Sequence, residues 1–220
     1  LVLRASNKTL EVYRYPTGGI VTAQILEQEK TFAVALDLHS VRLTDAQFYQ
    51  LCQDNEDLRL ELTAEGELII MPPTGGSTGS RNATITARIA VWAEKDGTGL
   101  SFDSSTMFVL PNGAKRSPDA SWVLRERWDA LSEEERDKFV PLCPDFVLEL
   151  RSTSDSLSFL QEKMREFIAN GALLGLLIDP KSKQAYVYRP NQIVESLSDP
   201  QTISGEPVLP GFVLKLKDIW

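Results

Sequence analysis

Apolar positions along the chain keep two periods, and the switches between them mark its elements. Short alternating runs around Leu10, Val12 and Tyr13, and again at 31–38, flank a Pro16-Thr17-Gly18-Gly19 turn and predict β structure near the start. Thr44, with Gln47 three residues on and Phe48 and Leu51 behind it, predicts a capped helix over 45–53, closed by Asp54, Glu56 and Asp57. Runs at 58–62 and 67–71 around Thr63-Ala64-Glu65-Gly66 predict a hairpin in which Glu61 lies opposite Leu60 and Leu62, as a solvated charge would. The next eight residues, 72–79, are rich in proline and glycine and read as a loop that sustains neither helix nor strand. They lack the lysine and spacing of a P-loop. A helix is expected over 82–94, with Ile85, Ile89 and Trp92 on one stripe, stopped by Asp96-Gly97-Thr98-Gly99. Residues 100–110 and 116–124 then read as the two strands of one hairpin about Pro111-Asn112-Gly113. Ser132 and Glu135 form a capping box within 128–139, a charged surface helix.

A continuous apolar run, Phe146, Val147, Leu148 and Leu150, holds Glu149 in its middle. Such a run predicts a strand covered on both faces. An ionised carboxylate there costs on the order of several kcal/mol unless a cation, a metal or hydrogen bonds compensate it. Alternation puts Asp145, Val147, Glu149 and Arg151 on one face, and Phe146, Leu148 and Leu150 on the other. After Ser152, Thr153, Ser154 and Asp155, the stripe Leu157, Leu160, Met164 and Ile168 predicts a helix lying back on the sheet. Phe159, Lys163 and Phe167 form an adjoining i, i+4, i+8 stripe. Lys163 therefore either points inward between two rings or lays its stem over apolar surface with its ammonium in water. Residues 173–178 and 185–188, around Asp179-Pro180-Lys181-Ser182, predict another strand pair. The 192–210 stretch is loop-rich, and Phe212, Leu214 and Leu216 alternate in a last strand.

Composition narrows the chemistry. At 220 residues the chain can form one substantial core with an appendage. It shows neither a membrane span nor a secretory leader, so a soluble cytoplasmic protein is expected. The net charge of −8 argues against a broad nucleic-acid-coating surface or a polybasic membrane contact, while a local basic groove stays compatible with it. The lone His39 excludes triads and metal cages that need several imidazoles, and Cys52 and Cys143, far apart and outside any CxxC, read as free thiols. Hydrolysis in this chain would have to use carboxylates, lysine and metal.

Two acids stand where they could serve. Asp119 follows Pro118 on the second strand of the expected hairpin, and Glu149 lies in the central run. Two such carboxylates can hold a hard divalent ion through oxygen, leaving positions for water and a phosphate. Their simpler roles are a turn residue for Asp119 and an ion pair with Arg151 or Lys163 for Glu149.

Pro118-Asp119 followed by Glu149-Leu150-Arg151 resembles the PD-(D/E)XK signature of restriction-endonuclease-like enzymes, with Arg151 in the place of the motif lysine. More closely, RLELTAEGELIIMPP at 59–73, SPDASWV at 117–123, PDFVLELRS at 144–152, QEKMREFIANGA at 161–172 and LLIDPKSKQAYVYRP at 176–190 together resemble the Uma-two family of candidate endonucleases. The resemblance implies an α/β, restriction-endonuclease-like domain over 42–220, with a mixed central sheet flanked by helices, preceded by a β extension at 1–41. It implies metal ligation by Asp119, Glu149 and the Leu150 carbonyl, magnesium or manganese as the ion, and a catalytic Lys163 moved from the strand to the following helix. Glu61 and Arg151 would be accessory, Arg151 being unable to act as a base because it stays protonated. The expected activity is endonucleolytic hydrolysis of DNA by a homodimer, with Lys115, Arg116, Arg125, Arg127 and Arg165 contacting the backbone. The alternative is a non-catalytic nuclease-fold scaffold, consistent with the acidic charge and the displaced lysine.

Overall fold

In the computed structural model of the chain, residues 4–6, 9–11, 22–24, 34–38 and 40–220 are described. The 16–19 turn and His39 lie outside them. Near the start, β1 (Arg4–Ser6) and β2 (Thr9–Glu11) form an antiparallel pair. The strands β3 (Thr22–Gln24) and β4 (Val34–Asp37) come next. Helix α1 (Asp45–Gln53) carries the expected capping box of Thr44 and Gln47, and the hairpin β5 (Arg59–Leu62) and β6 (Glu67–Met71) follows as expected.

Helix α2 (Gly76–Asp96) begins six residues earlier than the pattern predicts. Residues 76–79 are helical despite their glycines, as an N-terminal extension of the segment that Ile85, Ile89 and Ala93 anchor in the core. Tertiary burial downstream outweighs weak local propensity. The helix ends on Gly97 in the left-handed conformation, φ +75°, which a side chain would strain.

The expected single hairpin over 100–124 is divided between two sheets. Its strands are β7 (Gly99–Asp103), β8 (Phe108–Val109), β9 (Lys115–Arg116) and β10 (Ala120–Leu124). The outer pair, β7 and β10, lies in one six-stranded sheet, whereas the tip pair, β8 and β9, lies in the other. The crossing on the return strand falls at Ser117-Pro118-Asp119, where proline withholds a ladder N–H and ends the pairing. Two short helices, α3 (Arg125–Asp129) and α4 (Glu133–Asp137), take the place of one over 128–139, and Ser132 and Glu135 make the expected capping box on the second.

The central strand β11 (Phe146–Leu150) is buried at all five positions. Helix α5 (Leu157–Ala169) then crosses to β12 (Leu174–Asp179), which pairs parallel to β11, and β13 (Gln184–Tyr188) returns antiparallel. Two strands that the loop-rich reading missed, β14 (Glu195–Ser198) and β15 (Thr202–Ser204), precede β16 (Val213–Lys215). The main sheet runs β14-β13-β12-β11-β10-β7 and is mixed. The second runs β3-β4-β6-β5-β9-β8.

Helices cover both faces of the main sheet. Ile85, Ile89 and Ala93 of α2 meet Trp122, Phe146, Leu148 and Leu150 together with Phe212 and Leu214, while Leu160, Met164 and Phe167 of α5 meet Val147, Leu177 and Tyr188. Gly175 of β12 lies under Met164, whose terminal methyl a Cβ would overlap, so the glycine lets α5 sit close. Packing against Leu60, Leu62 and Leu68, Phe48 of α1 closes the core of the second sheet. Both Cys52 and Cys143 are free, and burial pushes the Cys143 thiol up to about 12. No helix among the described residues is long and apolar enough to cross a membrane.

Candidate active site

The junction between the two sheets brings Glu61, Arg116, Asp119, Glu149, Leu150 and Lys163 together. The β10–β11 ladder pairs Ala120 with Leu148 and Ser121 with Val147. Continued one residue beyond Ala120, the same register sets Asp119 opposite Glu149, on the same face. Asp119 is held there by the Leu150 N–H, which donates to Oδ2 at 2.8 Å, and by Asn82 Nδ2 of α2, which donates to Oδ1 at 3.1 Å. Its side chain keeps 15% exposure, at the edge of a cleft between α2 and α5 that Glu149, Leu150 and Lys163 also line.

Lys163 points inward. Its Nζ donates to Glu61 Oε1 at 2.7 Å and to the Ser117 carbonyl at 3.3 Å, and lies 5.9 Å from the Phe167 ring centroid. It also stands 2.7 Å from Glu149 Oε1, as a charge contact without hydrogen-bond alignment, and Glu149 Oε1 has no hydrogen-bond partner among the described residues. Glu61 is wholly buried, not solvated. The apolar neighbours Leu60 and Leu62 are buried too, because β5 is covered on both faces. The Ser117 N–H donates to Glu61 Oε1 at 2.9 Å and Arg116 Nη1 to Oε2 at 3.2 Å, while Arg116 Nε donates to Glu166 Oε2 at 2.6 Å.

Charge in this cluster is unevenly balanced. Burial pushes the Glu61 carboxyl up, but the charges of Lys163 and Arg116 outweigh it and hold Glu61 below the usual range. Burial lowers the Lys163 ammonium and the two carboxylates more than restore it, so it stays protonated. Glu149 is pushed up to about 8, by burial first and then by Asp119 and Glu61, against the pull of Lys163. Burial also raises Asp119, despite the Leu150 N–H and Lys163. Two carboxyls facing one cleft are thus short of positive charge.

This is the setting in which a hard divalent ion fits. Among the described residues, no group of three or more His, Cys, Asp and Glu side chains forms a metal cage. An open set of two carboxylates, completed by a main-chain carbonyl and water, is the kind that magnesium accepts.

Other predicted residues serve elsewhere. Arg151 lies past the end of β11, where Nη1 reaches the buried Asp179 at 2.9 Å and Nε the Asp155 carbonyl at 3.1 Å. Asp145 accepts from Arg127 Nη1 at 2.7 Å and from the Leu124 N–H at 2.8 Å, tying α3 to the sheet. Of the cations expected to contact a nucleic-acid backbone, Lys115 and Arg116 are buried, and Lys115 pairs with Asp45 at 2.8 Å. Both stand on the tip of the hairpin that enters the second sheet, a placement the single-hairpin expectation could not provide. Arg125 and Arg165 are exposed, and Arg127 is partly so. Sequence reasoning missed Arg59 and Asn82, which flank Asp119. Nothing local marks them, since both arrive from other elements.

The chain is thus an α/β protein whose mixed central sheet is flanked by helices, with an acid pair and a lysine at the edge of its central strands. The chain belongs to the Uma2 family, described as "Putative restriction endonuclease", whose model matches residues 45–217. Among solved structures it resembles one described as a "putative nuclease belonging to DUF820" from Anabaena variabilis, with a TM-score of 0.68 and 21% identity, covering 81% of this chain and 97% of that one. No curated protein matches the chain.

Proposed function

We propose that this protein is an endonuclease that hydrolyses phosphodiester bonds in DNA with a divalent ion, magnesium or manganese, held by Asp119, Glu149 and the Leu150 carbonyl. One observation carries this reading: Lys163 comes from α5 to within 2.7 Å of Glu149, although the motif position itself holds Arg151. The acid, acid and lysine set is complete in space where it is incomplete along the strand.

When bound, the ion would lower the pKa of a water and offset negative charge on the phosphate. Asp119 and Glu149 would orient it from neighbouring strands. Lys163, kept protonated by Glu61 and Glu149, is poised not as a base but as a fixed cation that stabilises developing charge. Glu61 holds that ammonium in place, Arg116 holds Glu61 from its other oxygen, and both Glu61 and Arg116 are shut away from solvent.

Calorimetric titration of magnesium and manganese into the native chain, Asp119→Ala and Glu149→Ala, with circular dichroism to verify folding, tests the reading. Stoichiometric binding that both variants lose, together with metal-dependent nicking of plasmid DNA by the native chain alone, is expected. Absence of binding, or binding unchanged in folded variants, overturns it.

A further inference from the structure

On the other side of Arg59 from the catalytic cleft lies a second pocket of about 380 Å³, and the two share Arg59, Met71 and Ser117 as walls. Arg59 stands at the junction. Its side chain is 38% exposed, and Nη2 lies 4.0 Å from Asp119 Oδ1, the loose end of ion-pair range. The neighbouring cations are committed more closely: Lys163 to Glu61 and Glu149, Arg116 to Glu61 and Glu166, Arg151 to Asp179. Arg59 therefore combines nearness to the acid pair with a face left open to solvent.

The second pocket has its own character. Leu58, Met71, Met107 and Phe139 supply apolar walls, Ser104 and Ser105 supply hydroxyls, and Gln53 and Glu56 supply an amide and a carboxylate that can pair with ring N–H groups. Apolar walls with a few hydrogen-bonding groups, at a size of about 300 to 1,000 Å³, suit one flat heteroaromatic ring system better than an extended polar chain. A guanidinium at its mouth matches the phosphate attached to such a ring.

We propose that Arg59 holds the backbone phosphate next to the one cleaved, and that the adjoining pocket receives the unstacked base of that nucleotide. The inference rests on the nuclease reading and deepens it. A base within a duplex cannot enter a side pocket without leaving its stack, so the preferred substrate is single-stranded or locally opened nucleic acid.

The test is fluorescence anisotropy with a labelled oligonucleotide, as single strand and as duplex of the same sequence, in calcium to hold off cleavage. Native protein, Arg59→Gln and Ser105→Trp are compared, each verified as folded. The native chain is expected to bind the single strand about tenfold tighter than the duplex. Arg59→Gln should lose about tenfold in single-strand affinity and show a shallower salt dependence by about one phosphate. Ser105→Trp, which fills the pocket, should abolish the preference for the single strand. Equal binding of the two forms, or variants that bind as the native chain does, overturns the inference while magnesium-dependent cleavage by the native chain leaves the nuclease reading intact. Failure of the native chain both to bind metal and to cleave brings down both.

Discussion

Lys163 Nζ lies 2.7 Å from Glu61 Oε1, a contact that joins a helix on the main sheet to a strand of the second sheet across 102 residues of sequence. The site is thereby assembled from both sheets, and neither holds it alone. Glu61 faces two cations, Lys163 and Arg116, with no exposure of its own. Removing one partner from a buried ion cluster leaves charges uncompensated, at a cost of about 3–5 kcal/mol. Glu61→Gln is expected to lose stability in that range in urea unfolding. A variant as stable as the native chain would mean that Lys163 and Arg116 find compensation elsewhere.

Arg151 occupies the motif lysine's place in sequence but is turned to Asp179, which is 1% exposed and also accepts from the Ser182 hydroxyl at 2.7 Å. A lysine at 151 would inherit that direction. Arg151→Lys is therefore expected to leave a Lys163→Met variant inactive in plasmid nicking, although a lysine then stands two residues after Glu149. Recovered activity would mean that residue 151 can swing into the cleft. Arg151→Ala alone should destabilise, since it strips the buried Asp179 of its guanidinium.

The parts of the site visible in sequence were those with a local signature. Glu149 stood out because a charge interrupted an apolar run, and Lys163 because it shared a stripe with Phe159 and Phe167; the structure buries both. Glu61 looked solvated because alternation in a half-exposed strand and burial in a doubly covered one give the same string of letters. The bend at Pro118 carried a signal, the missing N–H, but its consequence, that one hairpin serves two sheets, depends on long-range packing. The glycine and proline content of 72–79 predicts a loop, whereas 76–79 open a helix that Ile85 and Ile89 anchor in the core. Arg59 and Asn82 left no trace in the pattern, because their role exists only through nearness to Asp119.

Asn82 orients Asp119 through the 3.1 Å bond from Nδ2 to Oδ1. A hydrogen bond to a charged acceptor contributes about 1.5–3 kcal/mol when buried and less at a cleft edge. Asn82→Ala is expected to cost about 1 kcal/mol of stability and to weaken magnesium binding several-fold in calorimetry, because it loosens the aspartate and removes a donor to its ionised form. Unchanged metal affinity would show that the Leu150 N–H suffices to hold the carboxylate.

The raised carboxyl of Glu149 makes stability depend on pH with a definite sign. Burial moves its pKa from 4.5 to about 8, so between those values the folded chain keeps a proton that the unfolded chain has released. Stability then falls as pH rises, each unit being worth about 1.4 kcal/mol at most. Below 4.5 the contribution is fully present; above about 8 it is gone. Asp119, also raised, acts in the same direction from its lower starting value. Glu61 has the opposite sign, but its lowered pKa places its effect below this window, and the raised Lys163 acts above it. In chelator, urea unfolding of the native chain is expected to show a loss of more than about 1.4 kcal/mol between about pH 5 and pH 8. Glu149→Gln, which cannot ionise, should lose much less. Added magnesium should restore the native chain mainly at the upper end, where the carboxylate pair is charged and free to bind it. A native chain whose stability is level across this range would mean that Lys163 already neutralises Glu149, leaving no excess negative charge for a metal to offset.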